Sequence, residues 1–179
     1  MNDLSVSYLW FMRGVYLTLA TGIIFLHLLP LNTQPGQWAP PDLLMAFSFA
    51  WALRRPDFVP ALLIAGVMLV GDLMLQRPPG LLAALVVLGS EYLKNRLGGL
   101  SDANFVGEWA TVAFTVAIIT VLYRMVLGVL AVNQGPLTLT VVQMIATIIA
   151  YPLVVIVTQW GFGVRKLAPS EADTLGARI

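Results

Sequence analysis

The chain of 179 residues has no cysteine, one histidine, and only 11% charged residues. Without thiols it can form no disulfide, no thiolate metal site and no cysteine nucleophile. A lone His27 excludes a histidine metal cluster. Ten Lys and Arg stand against nine Asp and Glu, a formal charge of +1, which leaves no electrostatic footprint for nucleic acid. Soluble domains carry about 25% charged and about 45–50% apolar residues. Here 59% are hydrophobic and the mean hydropathy is +0.85. Such a composition cannot cover a water-facing surface, which excludes a soluble enzyme, a coiled coil and a disordered tail. What remains is an integral membrane protein. There is no internal repeat.

A helix needs about 20 mostly apolar residues to cross a hydrocarbon core of about 30 Å. Six runs fit or come close: 14–31, 41–53, 57–76, 80–97, 105–132 and 138–163, followed by a cytoplasmic tail over 164–179. The expectation is an all-α integral membrane fold, a six-transmembrane-helix bundle making one membrane domain over 1–179. The second run is the shortest, with a rise of only about 20 Å. It reaches a workable length if it starts near Trp38 and if Arg54 and Arg55 snorkel out at its far end. Arg54-Arg55-Pro56-Asp57, Arg77-Pro78-Pro79-Gly80 and Asn133-Gln134-Gly135-Pro136 are tight connections in which proline stops one helix and opens the next. Short loops place neighbouring helices antiparallel. No basic residue precedes Arg13 and no small-x-small site follows Leu29, so the first span is expected to be retained rather than cleaved.

Cytoplasmic loops collect Lys and Arg. Six spans with both ends inside put Arg13, Arg54, Arg55, Lys94, Arg96, Arg165, Lys166 and Arg178 on the inner side, and Arg77 alone outside. The same orientation places Trp10, Trp51, Trp109 and Trp160 near the inner interface and Trp38 near the outer one.

Ionisable groups within a span are expensive and draw attention as sites. Asp72 lies about one turn from the outer end of the third span and must find a partner. Arg124 lies about 12 Å below the outer end of the fifth span, at a similar depth, and is expected to snorkel or to pair, with Asp72 the obvious partner. The alternative for Asp72 is Arg77 or water. Glu91 sits three residues before Lys94 on one helix face, as in a local ion pair. Glu108 reads as a terminus charge favoured by the helix dipole, and His27 as a hydrogen-bonder between helices. Ala46/Ala50, Ala61/Ala65, Gly80/Ala84 and Ala113/Ala117 would permit close helix approach, a pattern that chance often produces. No Ser/His/Asp grouping, carboxylate pair, metal-ligand spacing or phosphate-binding turn is present, so no enzyme, cofactor or metal is expected.

The stretch from Pro41 to Arg96 resembles the MreD family, the membrane subunit of the bacterial rod-shape system. That family opens its second span with Pro, a polar residue and an aliphatic run, here Pro41-Asp42-Leu43-Leu44. Its third span runs into Asp-Leu, and eight residues after the Asp a Gly opens the fourth, here Asp72-Leu73 and Gly80. Lys94 and Arg96 match its basic cluster, Tyr151-Pro152-Leu153 its aromatic-Pro-aliphatic step, and Arg165-Lys166 its basic tail. One departure is Gln76, where the family commonly has Gly.

The resemblance carries over Pro41, Asp72, Gly80 and Pro152 as fold- or interface-determining positions. It implies a non-enzymatic scaffold of the cell-elongation complex in the bacterial inner membrane, needed for rod shape and lateral peptidoglycan synthesis. Its partners would be membrane lipids, MreC and, indirectly, MreB and the wall-synthesis enzymes, with no small-molecule substrate. The family is also similar in fold to the substrate-binding subunits of energy-coupling-factor transporters. That sets up the alternative, a substrate-binding membrane subunit of a small-molecule transporter. Those subunits dock through an Ala-x-x-x-Ala motif in the first span, which Tyr16–Ile24 lacks, and long polar external loops are also missing. A flippase or ion carrier would want more polar groups at mid-membrane depth.

Overall fold

The computed structural model describes residues 6–29, 39–96 and 105–162, and among these the regular structure is entirely helical. The helices are α1 (Val6–Leu28), α2 (Leu43–Arg54), α3 (Ala61–Met74), α4 (Leu81–Asn95), α5 (Phe105–Val129) and α6 (Leu137–Phe162), with a 3-10 turn at Pro56–Phe58. Trp38 and the 164–179 tail, with Arg165, Lys166 and Arg178, lie outside the described residues. Three helices are long and apolar enough to cross a membrane, Val6–Leu28, Phe105–Val129 and Leu137–Gly161. The chain thus has the build of a membrane protein. Two shorter apolar helices are Leu43–Arg54 and Ala61–Met74.

The bundle is organised around its shortest helix. Every residue of α2 from Leu44 to Arg54 is buried, and α1, α3, α4 and α6 all pack on it. The surrounding helices form an arc in which α1 touches α3, α3 touches α4, α4 touches α5 and α5 touches α6. A helix walled by protein has no lipid-facing backbone to satisfy, and its polar ends find partners inside the bundle.

One expectation is corrected by this arrangement. Arg54 does not snorkel; it is 5% exposed and pairs with Glu108 at 2.7 Å. Trp51 is fully buried in an aromatic group with Tyr16, Phe47 and Phe58. There Tyr16 also stacks on Phe47 and hydrogen-bonds Ser48 at 2.9 Å, fastening α1 to α2.

Around this centre each outer helix buries one stripe. In α1 it is Met12, Tyr16, Ala20 and Ile24, each four residues apart, as a helix with a single contact face requires. Leu17, Phe25, Phe114, Ile118, Val121, Ile149, Leu153 and Val157 point outward. A surface of this kind is matched to hydrocarbon rather than water. Tight helix contacts fall at Gly71 and Gly89. A Cβ on Gly71 would meet Leu44 at 2.8 Å, and one on Gly89 would meet Ile119 at 2.8 Å and Phe49 at 3.2 Å.

Candidate functional site

Side-chain contacts sort the polar groups to two ends of the bundle. At one end, Arg13 of α1 donates to the carbonyl of Asp57, and Lys94 at the end of α4 donates to the carbonyl of Val59 before α3. Arg54 at the end of α2 meets Glu108 at the start of α5. At the other end, the His27 ring near the end of α1 reaches the carbonyl of Pro41, before α2. Starts and finishes alternate, so successive helices run antiparallel.

Asp42 organises the second of these ends. Its Oδ1 accepts from the backbone N–H of Met45 at 3.1 Å and caps α2, which satisfies one of the orphan donors of a helix start. Its Oδ2 accepts from Arg77 Nη1 at 2.7 Å, and its own N–H donates to Thr147 Oγ1 of α6 at 2.8 Å. One residue therefore joins α2, the α3–α4 turn and α6. Burial works against the Arg77 cation, but the Asp42 carboxylate beside it, with help from Asp72, keeps its pKa raised.

Asp72 does not pair with Arg124. It is 1% exposed, and its Oδ2 accepts from the N–H groups of Gly80 at 3.1 Å and Ala83 at 3.2 Å. A carboxylate from α3 thus caps α4, where the helix dipole favours negative charge. The eight-residue spacing from Asp to Gly is the length of the turn that returns the chain to its own preceding helix. Gly80 sits at φ +87°, which an L side chain adopts only at a cost. Gln76 also lies at positive φ, +55°. The bonds Gln76 N–H to Leu73 O and Arg77 N–H to Asp72 O close α3 in a Schellman motif with Gln76 in the left-handed place.

Arg124 binds neutral groups. Its Nη1 donates to the Thr140 hydroxyl and to Gly135 O at 3.3 Å, and its carbonyl accepts from the Gln134 amide at 3.0 Å. Beside it lies a cavity of about 300 Å³, bounded by Asp42, Arg77, Tyr123, Arg124, Thr140 and Gln143 among others. Pro41, Asp72, Gly80 and Arg124 therefore share one end of the bundle.

Pro152 belongs to the opposite half. Lacking an N–H, it leaves the carbonyl four residues earlier, Ile148 O, without its helical donor. Trp109 Nε1 of α5 donates to that oxygen at 2.9 Å. The preceding residue, Tyr151, donates its hydroxyl to Glu108 Oε1 at 2.7 Å. Glu108 is thus no simple terminus charge; it is 2% exposed and joins α2, α5 and α6. The Glu91–Lys94 pair forms as the spacing implies, at 2.8 Å.

The Asp42–Arg77 pair and the Arg54–Glu108–Tyr151 group were missed in the sequence, because their members lie 35 or more residues apart. The one available signal was the scarcity of charge itself, since each buried ion had to have a partner. Among the described residues no group of three His, Asp or Glu is placed to hold a metal ion. Compared with protein-family models, characterised proteins and solved structures, the chain matches none.

Proposed function

We propose that this chain is a scaffold of the bacterial rod complex, a six-span inner-membrane bundle with both termini in the cytoplasm. It binds MreC and through it connects to MreB and the wall-synthesis enzymes. It acts by helix contact: one lipid-facing surface is buried against a single-span partner, with shape fit and a few polar anchors supplying specificity. The observation that carries the reading is the α3–α4 corner. The positions on which the MreD resemblance rests, Asp72 and Gly80, form a single structural device, and Gln76 adopts the backbone that the family's usual glycine would favour. Asp42, from the second-span signature, locks the same corner through Arg77.

The second reading, a substrate-binding subunit of a small-molecule transporter, is favoured by the cavity at that end, whose wall combines apolar side chains with a few polar groups. Depletion in the native bacterium separates the two. The scaffold reading expects rods to round up and an affinity-tagged chain to co-purify MreC. Cells that stay rod-shaped but lose uptake of a vitamin would overturn it in favour of the carrier.

A further inference from the structure

Among the described residues Arg124 is a cation without a counter-ion. Its guanidinium contacts only a hydroxyl and a carbonyl, and among the described residues it forms no ion pair. Among the described residues two acids lie at this end, and both are committed elsewhere. Asp42 is held by Arg77, and Asp72 faces the N–H groups of α4. The residues 30–38, between α1 and α2 in the sequence, include no Asp or Glu. A half-buried charge in low-dielectric surroundings is costly unless an opposite charge reaches it.

The space for that charge exists. The cavity of about 300 Å³ has Arg124 in its wall together with Thr120, Tyr123, Thr140 and Gln143. The Asp42–Arg77 pair also lines it, so the charged groups lining the cavity leave one positive charge unmatched. The rest of the wall is largely apolar, but a guanidinium fork with hydroxyl and amide groups beside it suits a tetrahedral anion, whose several oxygens can engage more of those donors than a planar carboxylate can.

We infer that this cavity binds a phosphate group, with Arg124 as the charged anchor and the neighbouring hydroxyl and amide groups completing its shell. The phosphate comes either from a phospholipid headgroup at the membrane surface or from water as a free ion. The inference does not depend on the scaffold reading and survives or fails separately from it.

The test uses the full chain in detergent, with bound mass read by native mass spectrometry. The probes are dihexanoyl phosphatidic acid, inorganic phosphate and dihexanoylglycerol. One phosphatidic acid should bind per chain, and Arg124→Gln should weaken it about tenfold or more, the scale of a lost charge-assisted bond. Gln143→Trp, which fills the cavity and leaves Arg124 in place, should abolish the same binding. It decides the matter if Arg124→Gln fails to fold. Inorganic phosphate binding as tightly, with the same dependence on Arg124, assigns the site to a free ion; phosphate failing to compete assigns it to a headgroup. Equal binding of dihexanoylglycerol, or unchanged binding in a folded variant of either residue, overturns the inference.

Discussion

Arg54 and Glu108 are 5% and 2% exposed, and the Arg54 Nε finds no partner of its own. Attraction between two such charges is offset by what it costs to take them out of water, so their value lies in being together. Glu108→Gln keeps an acceptor for Tyr151 but strands the Arg54 cation. It should lower stability by about 3–5 kcal/mol. Arg54→Met combined with Glu108→Gln should recover most of that loss, measured by reversible unfolding in mixed micelles. Additive losses in the double variant would show that the two residues act independently. Glu108 was legible in the sequence as an acid in the first turn of a helix, which is a local fact. Its partners 54 and 43 residues away depend on the packing of α2 and α6 against α5, which no local pattern encodes.

At the scale of elements, helix ends carry as much specification as helix faces. Both α3 and α5 finish in Schellman motifs, with Ala131 in the left-handed place for α5 at φ +52°, where Val132 N–H bonds Leu127 O and Ala131 N–H bonds Gly128 O. Neither Gln nor Ala is suited to that backbone, which costs an L residue about 1–2 kcal/mol. Gln76→Gly and Ala131→Gly should each stabilise the fold by up to about 1 kcal/mol, once the greater freedom of glycine in the unfolded chain is offset. Gly80→Ala should destabilise by a similar amount, although its added Cβ meets nothing closer than Leu69 at 4.0 Å. Thermal unfolding of the three variants checks the order, and a destabilised Gln76→Gly would refute it. The helices themselves were readable, because long apolar runs bounded by proline and glycine admit few other structures. Their exact ends were less so: α1 extends back to Val6 where the sequence placed its start at Gly14, and α3 yields its first residues to the Pro56–Phe58 turn.

At the scale of the whole molecule, the sorting of charge between the two ends is a prediction about placement in a bilayer. Arg13, Arg54, Arg55, Lys94 and Arg96 belong to the Glu108 end, whereas Arg77 and Arg124 belong to the Asp42 end. Insertion retains basic loops on the cytoplasmic side, so the Glu108 end should face inward. Helices α2 and α3 are too short to establish their crossing by length, and the alternative is that they form a buried hairpin entered from one side. Because the chain has no cysteine, single substitutions can report on this without removing any native thiol. Thr33→Cys, Pro79→Cys and Asn133→Cys should react with a membrane-impermeant maleimide in intact cells. Arg55→Cys and Ser101→Cys should react only after permeabilisation. If Arg55→Cys labels together with Thr33→Cys, then α2 does not cross and the six-span arrangement fails. If all five report the opposite side, the bundle stands but the basic end faces out, and Arg124 with its cavity would then open to the cytoplasm.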